Sequence, residues 1–158
     1  MKLREWLDEW SLTSLKINAR FLEMEWQPKD VDKNASWELY VELITRVSTQ
    51  YLRPDHGDED TALKSVSGLF ELTRETIKRN GRHCGEFTKI AVTILNQVVR
   101  PFTTKWHRLS VGGAFLHEAQ RALFRTELEE LQKTLRAYTQ MLAGLAGVED
   151  LTDLPSES

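Results

Sequence analysis

The sequence has one cysteine, Cys84, so it cannot close a disulfide within itself, and it fits a reducing compartment. It has no apolar run near the ~20 residues that a membrane-spanning helix needs, and Met1 to Trp10 contains no apolar core of a secretion signal. A cytoplasmic protein with no membrane partner is expected. One cysteine and four scattered histidines show no paired ligand spacing, which excludes a zinc site of known pattern. Nothing in the chain calls for a cofactor. It has no excess of positive charge either: 21 Lys/Arg against 24 Asp/Glu give a net −3, which argues against binding extended nucleic acid. Internal repeats, low-complexity tracts and interdomain linkers are also missing.

What is present is a composition of 41% hydrophobic and 28% charged residues over 158 positions, enough for one folded domain with a real core. Its most apolar stretch runs from Phe87 to Val99. Phe87, Ile90, Ala91, Ile94, Leu95 and Val98 recur at the spacing of one helical face, while Val92 and Val99 fall off it. A helix apolar most of the way round needs neighbours on several sides, so this one is expected at the centre of a bundle.

Around it the chain reads as mainly α, a single-domain bundle of about four principal helices. These cover residues 35–52 (Trp37, Tyr40, Val41, Ile44, Val47, Tyr51), 61–80 (Leu63, Val66, Phe70, Ile77), 86–100 and 116–146. Asp32 or Asn34 is expected to cap the first, Pro54 to end it, Asn80-Gly81 to stop the second and Pro101 the third. Residues 101–113 then form a connection jointed at Gly112-Gly113. In the last helix Phe124, Leu128, Leu131, Leu135, Tyr138, Leu142 and Leu145 repeat at spacings of four and three, a heptad seam that must pack lengthwise on another helix. The helical domain is expected over residues 1–147, with an acidic tail over 148–158.

The N-terminal element is ambiguous. Leu3, Trp6, Leu7 and Trp10 share one side of a short helix. Beyond them, residues 15–26 fit a helical seam or an alternating strand, and the alternation of Leu15, Ile17, Ala19 and Phe21 with polar residues favours the extended form. A lone strand would need a second strand to satisfy its backbone, from a hairpin partner or another subunit.

Charge is distributed unevenly. Residues 74–110 hold eight Lys/Arg against two acids, a net of +6, and the remainder holds 13 against 22, a net of −9. Arg79, Arg82 and His83 precede the central helix; Arg100, Lys105, Trp106, His107 and Arg108 follow it. Cations beside aromatic rings suit a phosphate-bearing ligand, with guanidinium on phosphate and a ring against a base. Three other features have plainer readings. The acidic run Asp55, His56, Asp58, Glu59, Asp60 offers oxygen ligands to a hard cation but lacks EF-hand spacing, and reads as a solvated helix cap. Cys84 precedes a helix, yet the adjacent His83 diverges from it, so a structural thiol is expected. Four of the five tryptophans (Trp6, Trp10, Trp26, Trp37) lie in the first 37 residues; most are expected in the core, and a cluster left partly exposed would be an interaction surface.

Arg100 and His107 enclose six residues, and this spacing resembles the R-x4-6-H motif of HEPN domains, small all-helical modules of which many are metal-independent ribonucleases. The resemblance implies that Arg100 stabilises a phosphate and that His107 does acid-base work at an RNA 2′-hydroxyl. The family usually has a polar residue after the arginine, and this chain has Pro101. The reading favoured by the charge map is a non-enzymatic binding module that engages a small phosphorylated, nucleotide-like ligand or a protein partner through residues 74–108. A homo-oligomer built on the terminal heptads is the structural alternative.

Overall fold

The computed structural model describes residues 1–46 and 59–154. Val47, Tyr51, Pro54 and most of the acidic run (Asp55, His56, Asp58) lie outside the described residues. The elements are α1 Leu3–Glu9, α2 Ala19–Leu22, α3 Asp30–Ile44, α4 Glu59–Ser67, α5 Leu69–Asn80, α6 Gly85–Ile94, a π-helical turn Leu95–Val99, α7 Arg100–Val111, a 3-10 turn Ala114–Leu116 and α8 Glu118–Ala146. The fold is mainly α, and no helix among the described residues is long and apolar enough to cross a membrane.

The heptad seam of α8 is buried along its whole length, with Phe124, Leu135 and Leu142 fully enclosed, and α3 is the helix packed most extensively along it. The seam is therefore satisfied inside one chain. Gly147 ends α8 with φ of 73°, the left-handed region that glycine enters without strain. The described part of the tail turns back on the bundle: the Tyr40 hydroxyl accepts the Leu151 N–H at 2.6 Å, and Arg136 pairs with Asp153.

The central helix differs most from its sequence reading. Pro101 does not stop it. Proline lacks an N–H and its ring crowds the carbonyl four residues back. Here the helix widens one turn earlier, where the Arg100 N–H donates to the Leu95 carbonyl five residues back, and α7 continues to Val111. One residue absorbed by a wide turn rotates everything after it by about 100°. That rotation carries Val99 into the core, while Val92, one turn before the widening, stays 40% exposed.

Two further boundaries move. Helix α3 begins at Asp30, five residues before the predicted start, and Asp32 acts from inside its first turn by accepting the Lys29 N–H at 2.8 Å. The same buried carboxylate accepts the Phe87 N–H at 3.0 Å, so one anion serves the positive ends of α3 and α6. The predicted helix over 61–80 breaks at Gly68, where the Arg46 guanidinium reaches the Ser65 carbonyl and an added Cβ would lie 3.2 Å from it.

The extended segment expected over 15–26 is not formed. Asn18 accepts the Arg20 N–H at 2.8 Å and caps the short helix α2. The residues around it hold one isolated antiparallel bridge, Lys2 with Glu25. Among the described residues there is neither a strand left unpaired nor a heptad seam left exposed, so neither feature calls for a second subunit. In α1, Leu3 and Leu7 are buried and Trp6 and Trp10 pack half-buried beside them, with Trp6 stacked on Trp26 at 5.8 Å.

Candidate functional site

Helices α6 and α7 run as one path; Arg79, Arg82 and His83 precede it, and Arg100, Lys105, Trp106, His107 and Arg108 lie along its far half. His83 and His107 are 24 positions apart, which is roughly 35 Å of helix path. The basic stretch thus makes two sites, of different character.

At the far end Arg100 and Lys105 are engaged and the Trp106 ring is enclosed. Lys105 donates to both carboxylate oxygens of Glu127, at 2.9 and 2.7 Å. Trp106 is 0% exposed; it stacks on Phe115 at 5.9 Å and meets Phe124 edge-on at 5.2 Å, so no ligand can stack on it. The Arg100 guanidinium lies 4.7 Å from the Phe70 ring centre and donates to Asn96 Oδ1 at 3.1 and 3.2 Å. His107 and Arg108 are exposed. Arg100 and His107, seven residues apart, do share a face, separated by about 10.5 Å along the axis.

At the near end Arg79 pairs with Glu38 at 2.6 Å, while Arg82 and His83 stand exposed on the turn between α5 and α6. Cys84 is 1% exposed and its thiol faces the Gly81 carbonyl at 3.1 Å, the arrangement of a packed side chain.

Beside this turn lies a groove of about 490 Å³, bounded by the segment 16–21, the end of α5 and the outer face of α6. Ile17, Phe21, Ile77 and Val92 supply its apolar surface, and Lys16, Arg82 and Lys89 its charge; no carboxylate is among its lining residues. Lys89 is shared with Glu86 at 2.5 Å, but no described carboxylate lies within ion-pair distance of Lys16 or Arg82. Gly81 and Gly85 present bare backbone to it, and an added Cβ at either would meet nothing within 4 Å.

The wall formed by residues 16–21 has no sheet to hold it. Gln97, in the π-helical turn, does so instead: its carbonyl accepts the Lys16 N–H at 2.7 Å and its amide donates to the Lys16 carbonyl. Of the predicted site residues only Arg82 lines this groove. Lys16, Ile17, Asn18 and Phe21 were missed, because their segment reads as a strand. The one sequence signal for the groove was Val92, apolar and off the buried face of its helix.

Among the described residues no three His, Cys, Asp or Glu side chains gather as metal ligands. Compared with known protein families, curated proteins and solved structures, the chain matches none of them.

Proposed function

We propose that the protein is a non-enzymatic binding module that takes a small anionic ligand in the groove between residues 16–21 and α6. The observation that carries this reading is the groove's charge: three cations, two without a described acidic partner, and no carboxylate in the lining. An apolar floor strengthens any ion pair made above it by excluding water. Volume agrees, since small-molecule sites occupy about 300–1,000 Å³. Lys105 and Arg100, held by Glu127 and Phe70, are not the binding charges in this reading, and Arg108 does not line the groove.

Calorimetry with phosphate-bearing ligands tests it. Arg82→Ala and Lys16→Ala should weaken binding, while Lys105→Ala and Arg108→Ala should leave it unchanged. Binding should fall with salt as the screening length drops from about 10 Å at 0.1 M to about 3 Å at 1 M. Equal losses from both sets of variants would remove the groove as the site.

The shared face of Arg100 and His107 favours a second reading, a ribonuclease of the HEPN type. It requires metal-independent RNA cleavage that His107→Ala abolishes while helical circular dichroism is kept. Intact RNA after prolonged incubation with wild-type protein ends that reading.

A further inference from the structure

We infer that the ligand of the groove is a single-chain amphiphile, an unbranched apolar tail ending in a carboxylate or a phosphate monoester. This rests on the groove being the binding site and adds the chemistry of its occupant.

The polar groups of the lining decide between an apolar body and a nucleobase. The Thr88 hydroxyl donates to the Cys84 carbonyl at 2.8 Å, and the Thr93 hydroxyl donates to the Lys89 carbonyl at 2.7 Å. Both hydroxyl protons are consumed within α6. Asn18 uses its side-chain oxygen to accept the Arg20 N–H. What remains is cationic charge, one side-chain amide, the acceptor lone pairs of the two hydroxyls and the backbone at Gly81 and Gly85, with no neutral side-chain donor but Asn18 to read the edge of a base. A base buried here would leave polar groups unpaired, which opposes binding. An alkyl tail has no such groups.

The apolar surface fits a tail. Phe21 and Val92 are each 40% exposed, large side chains that a hydrocarbon would cover. From Gly85 to Thr93 the floor is about 12 Å long, a narrow track. Arg82 stands at the Gly81–Gly85 end, where its planar fork can take two oxygens of a carboxylate or phosphate. One face of Phe21 is already covered by the Lys89 ammonium at 5.4 Å, which further disfavours a stacked base. Charge at one end and hydrocarbon along the rest is the pattern of an anionic amphiphile.

The experiment titrates the full chain with decanoate, decyl phosphate, AMP, inorganic phosphate and decyltrimethylammonium, each below its micelle concentration, following backbone amide shifts. Decanoate or decyl phosphate should shift the amides of Gly81, Gly85 and Val92 saturably and bind at least about tenfold more tightly than AMP or phosphate. Val92→Asp should abolish this binding and Arg82→Ala should weaken it. Both positions are exposed, and unchanged circular dichroism will show that the variants fold. AMP binding in the groove as tightly as decyl phosphate overturns the amphiphile while leaving the groove as an anion site. Equal binding of decyltrimethylammonium overturns the anionic head. No shift around the groove with any probe overturns both this inference and the function on which it rests.

Discussion

The two ends of the α6–α7 path carry the same kinds of residue and use them in opposite ways. At the far end Lys105 is held by Glu127, Arg100 lies on Phe70, and Trp106 is enclosed by Phe115 and Phe124. At the near end Arg82 has no described acidic partner and Phe21 and Val92 face an open groove. The cation over Trp106 is held by an acid of α8, whereas Arg82 beside the groove has no described acid to hold it. What separates the two cases is the neighbouring element, which the local sequence does not name.

The largest expected effect breaks the enclosed end. Trp106→Ala removes a fully buried ring from the Phe102–Phe115–Phe124 cluster and should cost about 3–5 kcal/mol, read by urea denaturation. Groove binding measured well below the melting temperature should stay as in wild type. A stability loss below about 1 kcal/mol would mean that this end is not closed as described.

The next substitution acts on the open end through its wall. An added Cβ at Gly144 would lie 2.5 Å from the Trp10 ring, closer than atoms can approach. Gly144→Ala should therefore displace Trp10, loosen the N-terminal segment and cost about 1–3 kcal/mol. Near-ultraviolet circular dichroism reports the tryptophan. Limited proteolysis should cut before α3 sooner than in wild type, and groove affinity should fall with it.

These expectations follow from packing that the sequence displays only in part. The helical class, the α8 seam and the stops at Gly81 and Gly147 were legible, because periodicity and glycine conformation are local properties. The continuation through Pro101 was not. Proline's missing N–H and its ring disfavour an ordinary turn, and the wide turn at Leu95–Val99 accommodates them. The segment 15–26 misled for a related reason: alternation over a dozen residues describes a strand, but a strand needs a partner, and Asn18 capped a short helix instead. At the site, Arg82 was legible as an exposed cation. Lys16 and Phe21 were not, since they reach the groove through contacts distant in sequence, Lys16 with Gln97, 81 positions away, and Phe21 with Lys89.

A smaller effect sharpens the electrostatic side of the comparison. Lys105 and Glu127 are 42% and 31% exposed, so water screens much of their attraction. Lys105→Ala should cost no more than about 1 kcal/mol in urea denaturation, with no change in groove affinity. A loss of ligand affinity here would show that the far end takes part in binding after all.

The smallest effect concerns pH and the clamp that holds the N-terminal segment. Glu23 sits between Lys2 at 2.9 Å and Arg4 at 2.7 Å, tying the start of the chain to the residues just after the groove wall. The hydrogen bond from Lys2 and the charges of Arg4 and Lys2 lower the Glu23 carboxyl below its ordinary value of 4.5. A carboxylate with a depressed pKa in the folded state contributes stability above its unfolded pKa, and that contribution is lost as pH falls through the folded value. The clamp should therefore be intact at neutral pH and loosen only below about 4.5, the side on which the carboxyl takes up its proton. The Glu23 side chain is 46% exposed, so the change should stay local. Amide exchange at Leu3 and Trp26, whose N–H groups donate to the Met24 and Met1 carbonyls, should quicken relative to the α8 core as pH is lowered, after correction for intrinsic rates. In Glu23→Gln the same two amides should exchange faster already at neutral pH, with little further dependence below it. Equal protection in the variant and the wild type would mean that the bridge to Glu25 and the packing of Trp6 on Trp26 hold the segment without Glu23.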